Sequence, residues 1–369
     1  MSEQNHLDYK DAINQGSYYT PKNIIDIAYN MILANILGFE KYIILDTSCG
    51  YGAFLRFPNS IGADSDGEAI KIASSYNNSK FFCHNSLKSV SRAQYNLKPE
   101  NQIIIIGNPP YNDTTSIIRN GIKQKNYEID KDLSHRDLGI SFLLSYDKLE
   151  ADYICVLHPL SYLIKKANFE SLKAFKKNYK LIDSLIISSR EFSKTSKVTS
   201  FPIIIALYKR GAGMIYEDIL SYNFATKEGT RFCISEFDKL SAYITKYPNK
   251  REKNYVANFY TMRDINALGR SRTFIETESY NSIRVPHNKL ALYCYADVFK
   301  EYVRHIPYYF GNSDIMIDYN EFIRLKDNFM QKSLSKYPFL EYLAPNKEID
   351  NYSIQNYFEN LLGEHYVYK

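Results

Sequence analysis

Short apolar runs that end in polar or turn-forming residues recur along the first 210 residues of the chain. Apolar runs of about four to eight residues with such ends are typical of buried strands. We therefore predict strands at YIILD (42–46), SIGAD (60–64), FFCHN (81–85), IIIIGN (103–108), DYICVLHP (152–159), LIDSLIIS (181–188) and FPIIIALYKR (201–210).

Segments with helical spacing of apolar residues lie between several of these strands. Residues 20–37 have this spacing, and Thr20 is the predicted N-cap with Pro21 in the first turn. We also predict helices at GEAIKIASSY (67–76) and ANFESLKAFKKNY (167–179), and we expect GAFLRF (52–57) to open another. Strands that alternate with helices predict an α/β fold with a doubly wound, mostly parallel sheet.

The alternation of strands and helices stops after KRGAG (209–213). The remaining chain carries many tyrosines, arginines and lysines and shows no regular alternation. We therefore predict two domains, residues 1–212 and residues 213–369, of which the second has an α+β fold.

Four polar residues close or follow predicted strands: Asp46, Asp64, Asn85 and Asn108. In open α/β sheets, ligands bind at the carboxyl ends of the strands. Since parallel strands end on the same edge of the sheet, these four side chains are expected to face one crevice.

The turn after the first strand, LDTSCGYGAF (45–54), contains Gly50 and Gly52. Two glycines between a strand and a following segment let the backbone approach a ligand closely. The complete dinucleotide fingerprint is absent, as is the G-x-x-x-x-G-K-[ST] phosphate loop. The same glycines would also suit a strand turn that binds nothing.

The acids and amides on the predicted edge have two interpretations each. Asp64 is suited to accept hydrogen bonds from ribose hydroxyls, and Asp66 competes with it for this role. Asn85 is suited to the edge of a purine ring, although it would serve equally as a turn former.

The sequence NPPY (108–111) directly follows an apolar strand. Its two prolines fix φ near about −65° and remove two backbone donors. This stiff turn presents the Asn108 amide and the Pro109 carbonyl as paired acceptors, which suit an exocyclic amino group. Tyr111 adds a ring that can stack on a planar base. A rigid loop with a buried tyrosine is the alternative interpretation.

Composition narrows the class of protein. Five dispersed cysteines form no C-x-x-C pair, so we predict neither disulfides nor a metal site. A net charge of +5 permits a polyanionic partner. The polar amino terminus is unlike a signal peptide, and no apolar run approaches the roughly 20 residues that span a membrane. We expect a cytoplasmic protein with no membrane contact.

These motifs and their order resemble those of the gamma class of amino-group DNA methyltransferases, specifically the N6-adenine branch. The resemblance covers about residues 16–210 and rests on GSYYTP (16–21), LDTSCGYGAFL (45–55), GADSDGEAI (62–70), NSL (85–87), NPPY (108–111), SHRDLGISFLL (134–144) and REFSKTSKV (190–198). Four positions depart from the family pattern: Thr47, Tyr51, Gly67 and Asn85.

The resemblance implies a Rossmann-like methyltransferase domain followed by a DNA target-recognition domain. It implies that S-adenosyl-L-methionine is held by Tyr19, Thr20, Pro21, Asp46, Gly50, Gly52, Asp64 and Asn85. It implies methyl transfer to N6 of an adenine flipped out of double-stranded DNA. The catalytic residues would be Asn108, Pro109, Pro110 and Tyr111, with Phe192, or alternatively Phe201, on the other side of the base.

The resemblance also implies a restriction-modification system, with a cognate restriction endonuclease as partner. Other substrates stay open, because the same acceptors suit an RNA adenine or a protein glutamine. N4-cytosine methylation more often accompanies a serine in place of Asn108. A catalytically silent nucleic-acid-binding protein on the same fold is the alternative from a different functional class.

Overall fold

The computed structural model of the protein describes residues 20–111, 128–192 and 200–368. The chain forms two compact units, Met1–Phe232 and Cys233–Lys369.

The boundary between the units lies after Phe232, whereas the sequence places it near residue 212. Residues beyond 212 remain attached to the first unit by hydrogen bonds. The Met214 N–H donates to the Lys176 carbonyl at 2.7 Å, and the Lys227 N–H donates to the Ile186 carbonyl at 2.9 Å. The glycine-rich break that suggested a boundary is therefore a turn within the first unit.

The first unit is built on a seven-stranded sheet with the order β3-β2-β1-β4-β5-β7-β6. The strands are β1 (Ile43–Asp46), β2 (Ser60–Asp64), β3 (Lys80–Cys83), β4 (Ile103–Gly107), β5 (Tyr153–Pro159), β6 (Tyr179–Ser188) and β7 (Pro202–Arg210). All neighbouring pairs from β3 to β5 are parallel, and β7 is antiparallel to both β5 and β6. The predicted α/β class with a mostly parallel sheet is confirmed.

The centre of the sheet explains why its strands are continuously apolar. Ile103, Ile104 and Ile105 in β4 are fully buried. Strands that are covered on both faces need apolar side chains at every position, because successive residues point to opposite faces.

Helices cover the sheet of the first unit. They are α1 (Lys22–Asn35), α2 (Gly67–Tyr76), α3 (Leu138–Lys148), α4 (Ser161–Ile164), α5 (Lys166–Ser171), α6 (Phe175–Asn178) and α7 (Tyr216–Leu220). In α1, Ile24, Ala28 and Ile32 are fully buried and belong to one apolar cluster with residues of β1, β4, β5, β6 and β7. A two-stranded hairpin of β8 (Phe224–Ala225) and β9 (Arg231–Phe232) ends the unit.

Three helix predictions need correction. Residues 51–54 form turns and open no helix, because Gly50 and Gly52 have positive φ values of 49° and 76°. The predicted helix 167–179 is divided into α5 and α6, and Lys173 between them has φ of 48°. The predicted N-cap Thr20 is wrong, since α1 begins at Lys22 and no side chain caps it.

The second unit is α+β, as predicted. Its strands are β10 (Asp238–Lys239), β11 (Ala257–Tyr260), β12 (Phe274–Ile275), β13 (Ser282–Val285) and β14 (Met316–Ile317). Its helices are α8 (Ile265–Arg270), α9 (Leu290–Tyr302), α10 (Tyr319–Leu334) and α11 (Asn351–Leu362). The strands form an antiparallel sheet of order β12-β11-β13 and a separate β10-β14 pair.

Aromatic side chains fill the core of the second unit. The Tyr295 ring lies 5.4 Å from the ring centre of Phe322, 5.2 Å from that of Phe329 and 5.9 Å from that of Phe358. These residues belong to α9, α10 and α11, so many aromatics of the carboxy-terminal region pack the three helices together.

Within the described residues, no helix has the combined length and apolar character needed to cross a membrane.

Candidate functional site

The four polar residues predicted on one edge follow adjacent strands of the parallel sheet. Asp46 and Asp64 are the last residues of β1 and β2, Asn85 follows β3, and Asn108 follows β4. The strand order β3-β2-β1-β4 makes these four strands neighbours. The topology therefore brings all four to the carboxyl edge, where ligands bind in such sheets.

The glycine turn after β1 is held by Asp64. The Gly50 N–H donates to Asp64 Oδ2 at 2.8 Å, and the Cys49 N–H donates to the Ala63 carbonyl at 2.9 Å. Asp66 instead caps α2, since its Oδ1 accepts the N–H groups of Glu68 and Ala69. The structure thus separates the two competing acids: Asp64 faces the turn, and Asp66 is a helix cap.

Asp46 is a buried carboxyl group, only 2% exposed. Its Oδ1 accepts the Ser48 N–H at 3.1 Å. Burial raises the pKa of Asp46 to about 8, the Ser48 hydrogen bond opposes this rise in pKa, and the charge of Asp64 adds to it. In the described part of the chain, no lysine, arginine or histidine forms an ion pair with Asp46.

Gly107 makes room for this carboxyl group. A Cβ atom at Gly107, whose φ is 154°, would lie 2.8 Å from Asp46 Oδ1. Only glycine accommodates this backbone conformation and this approach together. Gly107 therefore connects the NPPY turn to the Asp46 carboxyl group, a link that the sequence pattern does not reveal.

The NPPY turn presents an unusual amide. Asn108 Nδ2 donates to Thr20 Oγ1 at 3.1 Å. Asn108 Oδ1 is buried and accepts no hydrogen bond from any residue that the structure describes. Buried polar atoms are nearly always paired, so an orphaned carbonyl oxygen at a sheet edge indicates a place for a donor from a ligand.

The ring of Tyr111 is half-buried and packs against the apolar cluster that α1 forms with the sheet. Pro109 is buried and Pro110 is half-buried. The backbone of the turn is thus fixed by both its prolines and its packing.

Three residues next to Tyr111 have no individual role in the sequence prediction: Asp137 and Gly139, which lie in the motif at 134–144, and Tyr162. A Cβ atom at Gly139 would lie 3.0 Å from the Tyr111 Cβ and would overlap the Tyr162 hydroxyl. That hydroxyl donates to Asp137 Oδ1, which also accepts the Gly139 N–H at 3.1 Å. Asp137 directly precedes an apolar helix, a recognisable N-cap signal, whereas no sequence signal marks Tyr162.

His158, at the end of β5, supports this group from within the core. Its ring stacks on Tyr162 with centres 5.2 Å apart, and Nε2 lies 2.7 Å from the Tyr208 hydroxyl. Burial lowers the pKa of His158 to about 4, so the ring is neutral at physiological pH. Its role is packing and hydrogen bonding.

The remaining residues predicted to bind the cofactor are Asn85, Pro21 and Tyr19. Asn85 behaves as a turn former: Oδ1 accepts the Leu87 N–H at 3.0 Å, and Nδ2 donates to the Glu128 carbonyl at 2.7 Å. Pro21 joins the buried Thr20 to α1. Tyr19 lies outside the described residues.

The two candidate stacking phenylalanines differ in burial. Phe192 is 2% exposed and belongs to the apolar cluster, so its ring presents no open face. Phe201 is half-buried and packs against the same cluster. The structure therefore places Phe192 in the core and leaves Phe201 as the more accessible ring.

These features fit a ligand with positive charge and several hydroxyl groups. A buried carboxyl group without a cationic partner would be stabilised as a carboxylate by a ligand cation near Asp46. Gly50 and Gly52 allow a close backbone approach beside Asp64. S-adenosyl-L-methionine carries both features, and the residues present fit it.

Among the described residues, no group of three or more histidines, cysteines, aspartates or glutamates could hold a metal ion.

Comparison with known proteins gives structural similarity only. No family model matches the sequence, and no curated protein matches it. A candidate class I S-adenosylmethionine-dependent methyltransferase from Listeria monocytogenes is 14% identical with a TM-score of 0.38, over 58% of this chain and 66% of that one. A type I restriction-modification methyltransferase subunit from Streptococcus thermophilus is 15% identical with a TM-score of 0.37, over 60% and 48%.

A candidate RNA methyltransferase from Pyrococcus horikoshii is 16% identical with a TM-score of 0.34, over 54% of this chain and 87% of that one. At these identities and TM-scores the similarities carry no argument about function.

Proposed function

We propose that the protein is an S-adenosyl-L-methionine-dependent DNA methyltransferase that modifies N6 of a flipped adenine. The observation that carries the proposal is Asn108, whose Oδ1 is buried without a described partner in an NPPY turn. It follows β4, whose neighbour β1 ends in the buried Asp46. An amino group of a planar base is the donor that this turn suits.

The cofactor would lie at the carboxyl ends of β1 and β2. Asp46 would face the positive charge of the cofactor, and Asp64 would accept hydrogen bonds from its ribose hydroxyls. Gly50 and Gly52 would let the cofactor approach the backbone closely. Tyr19, the backbone of Thr20, Pro21 and Asn85 complete the proposed set. When bound, the cofactor supplies an electrophilic methyl group on its sulfonium sulfur.

The protein's own groups would prepare the base. Asn108 Oδ1 and the Pro109 carbonyl would accept hydrogen bonds from the two N–H groups of the amino group. The lone pair of the amino nitrogen is then less delocalised into the ring. Tyr111 stacks on one face of the base, an interaction worth roughly 1–3 kcal/mol in comparable systems. Because of its exposure, Phe201 is a better candidate than Phe192 for the second aromatic contact.

Most of the acceleration would come from positioning and from fixed dipoles. Adenine N6 is paired and stacked in duplex DNA, so the base must leave the helix at a cost of a few kcal/mol. Because the NPPY turn is already stiff, it loses little conformational entropy when it binds such a base.

The second unit is the proposed target-recognition domain, and it exposes several cations. Arg251, Arg270, Arg272 and Arg304 are exposed, and Arg272 lies 6.0 Å from the centre of the Tyr260 ring. Lys250 and Arg284 are less available, since both form ion pairs with Glu278. Exposed arginines of this kind would set affinity for phosphates and its salt dependence.

The test is transfer of a labelled methyl group from S-adenosyl-L-methionine to unmethylated DNA, RNA and protein, offered separately. We expect label in DNA, recovered as N6-methyladenine after digestion to nucleosides. Label confined to RNA or protein would overturn the DNA assignment, and N4-methylcytosine would overturn the base assignment. No label in any substrate would favour a silent nucleic-acid-binding protein.

A restriction-modification role is part of the proposal. It predicts that DNA carrying the modification resists a cognate restriction endonuclease, whereas unmodified DNA of the same sequence is cleaved. Mapping modified adenines in cells that express the protein would identify the sequence to test.

A further inference from the structure

We infer that Thr20 is a positioning residue for Asn108, and that its hydroxyl keeps Oδ1 of the catalytic amide turned towards the substrate. The inference rests on the proposed function and extends it. The family resemblance assigns Thr20 to the cofactor, and the sequence pattern suggests a helix cap, but the contact in the structure is with Asn108.

The contact joins residues 88 positions apart in the chain. Thr20 is 4% exposed, and its Oγ1 accepts the hydrogen bond from Asn108 Nδ2 at 3.1 Å. The other end of the amide, Oδ1, is buried and has no partner among the described residues. Thr20 thus engages the donor end of the amide and leaves the acceptor end available.

The orientation of the amide decides whether the site can work. An asparagine side chain is an acceptor at one end and a donor at the other. An amino group on a base offers two N–H donors, so it requires the acceptor end. A reversed amide would oppose donors to donors and would repel the base.

Because the backbone around Asn108 is restricted, rotation of its side-chain amide is the main conformational freedom that remains. Its backbone lies between Gly107 and Pro109, and the following prolines fix the turn. The side-chain amide is held by Thr20 alone among the described residues. The Thr20 hydroxyl thus holds the amide plane in place, and the end that it holds in the structure is Nδ2, which leaves Oδ1 on the opposite side.

Thr20 itself is held by a rigid element. Pro21 restricts the backbone of Thr20 to extended geometry, and α1 begins directly after Pro21, at Lys22. Ile24 and Ala28 of α1 are fully buried against the sheet. The hydroxyl is consequently fixed relative to β4, which carries Asn108.

The experiment compares Thr20→Val with Thr20→Ser in the full-length protein. Valine removes the hydroxyl at nearly constant volume, and serine retains it. With DNA and cofactor saturating, we expect kcat to fall about ten- to a hundredfold in Thr20→Val and to recover to within about threefold of wild type in Thr20→Ser.

Binding of S-adenosyl-L-methionine, measured by calorimetry, separates this role from a cofactor contact. Positioning predicts an affinity in Thr20→Val within about twofold of wild type. A loss of affinity with kcat intact at saturation would overturn the inference, as would an unchanged kcat or a failure of serine to restore it.

A second measurement does not need activity. Thermal unfolding of wild type, Thr20→Val, Asn108→Ala and the double variant forms a double-mutant cycle. We expect Thr20→Val to lower the Tm when Asn108 is present and to have little effect when it is absent. Additive shifts in Tm would show that the contact does not form.

The two proposals fail in different ways. If wild type transfers methyl groups and Thr20→Val matches it, the inference about Thr20 is wrong and the proposed function stands. If wild type modifies no substrate, the proposed function is wrong, and the unfolding cycle alone decides whether Thr20 holds Asn108.

Discussion

Asp46 in the first unit and Asp297 in the second are both buried carboxyl groups, at 2% and 3% exposure, yet their surroundings are opposite. Asp297 accepts hydrogen bonds from Ser333 Oγ at 2.9 Å, Lys336 Nζ at 3.0 Å and Tyr337 OH at 2.7 Å. Asp46 accepts one backbone N–H and has no cationic partner in the described structure.

Asp297 therefore stabilises the fold, whereas we propose that Asp46 is compensated by a bound ligand. A buried carboxylate with several donors stabilises the elements that supply them. A buried carboxyl group without them costs stability unless a bound molecule compensates it. Two amides show the same contrast: both ends of the buried Asn328 are hydrogen-bonded to Asp350, whereas the half-buried Asn108 has a buried Oδ1 with no partner among the described residues.

The largest expected effect concerns these amides. Asn108→Ala should lower methyl transfer by about a thousandfold or more, because it removes an acceptor aimed at the reacting amino group. Its Tm should fall only about as much as that of Thr20→Val, since the hydrogen bond from Nδ2 to Thr20 is the one described side-chain bond that it loses. Labelled methyl transfer and thermal unfolding measure the two effects.

Asn328→Ala is the matched control. Asn328 donates to the Asp350 carbonyl at 2.7 Å and accepts the Asp350 N–H at 2.9 Å. We expect it to lose about 1–3 kcal/mol of stability with kcat retained. An Asn108→Ala variant as unstable as Asn328→Ala would show that both amides are structural.

The next prediction concerns Asp297. Asp297→Ala should lower the free energy of unfolding by about 3 kcal/mol, because Ser333, Lys336 and Tyr337 all lose their buried acceptor, although Lys336 keeps its pair with Glu301. Cofactor affinity should be unchanged. The control is Arg324→Ala, which breaks the exposed pair with Glu321 and should cost less than about 0.5 kcal/mol. Chemical denaturation measures both, and equal losses would contradict the comparison.

Gly139→Ala tests the support of the Tyr111 ring. Its Cβ would displace Tyr162 or Tyr111, so we expect kcat/KM to fall about tenfold through misplacement of the ring. Gly67→Ala is the control, because its Cβ would meet only Cys83 Sγ at an ordinary 3.5 Å. Steady-state kinetics should show no loss in Gly67→Ala, and equal rates in both variants would rule out this role for Gly139.

The last prediction is the pH dependence of stability that Asp46 causes. Its pKa of about 8 in the folded protein lies above the ordinary carboxyl pKa near 4. Between these values the folded state keeps a proton that the unfolded state has released, so this contribution to stability falls as pH rises.

We therefore expect the Tm of the ligand-free protein to fall more between pH 5 and pH 8 in wild type than in Asp46→Asn, by on the order of 10 °C. Asp46→Asn should be more stable than wild type at pH 8, the opposite of Asp297→Ala, and should bind S-adenosyl-L-methionine more weakly. A pH profile of the Tm that is identical in both proteins would contradict a raised pKa for Asp46.

Much of the first unit could be predicted from the sequence. The run at 103–106 is apolar at every position, which predicts a strand buried on both faces, and β4 is such a strand. Asp46, Asp64 and Asn108 were located at strand ends for the same local reason. The interruption of the helix predicted at 167–179 was not foreseeable from spacing, because the backbone turns at Lys173 with positive φ.

Long-range packing decided the points that the sequence reasoning missed. Phe192 enters the apolar cluster of α1 and the sheet, so a residue predicted to stack on a base lies in the core. Residues 213–232 stay with the first unit because their hydrogen bonds run to residues far earlier in the chain. Neither the burial of Phe192 nor the attachment of residues 213–232 can be predicted from local composition.

The sequence by itself determined the fold class and the set of polar residues at the carboxyl edge of the sheet, since hydrophobic periodicity and proline geometry act over a few neighbouring residues. Only the tertiary structure decided which of those polar atoms are satisfied. Thr20 holds Asn108 from 88 positions away, Gly107 makes room for Asp46, and Oδ1 of Asn108 stays unpaired among the described residues. Hydrogen bonding and burial depend on atoms that the chain brings together only when it folds.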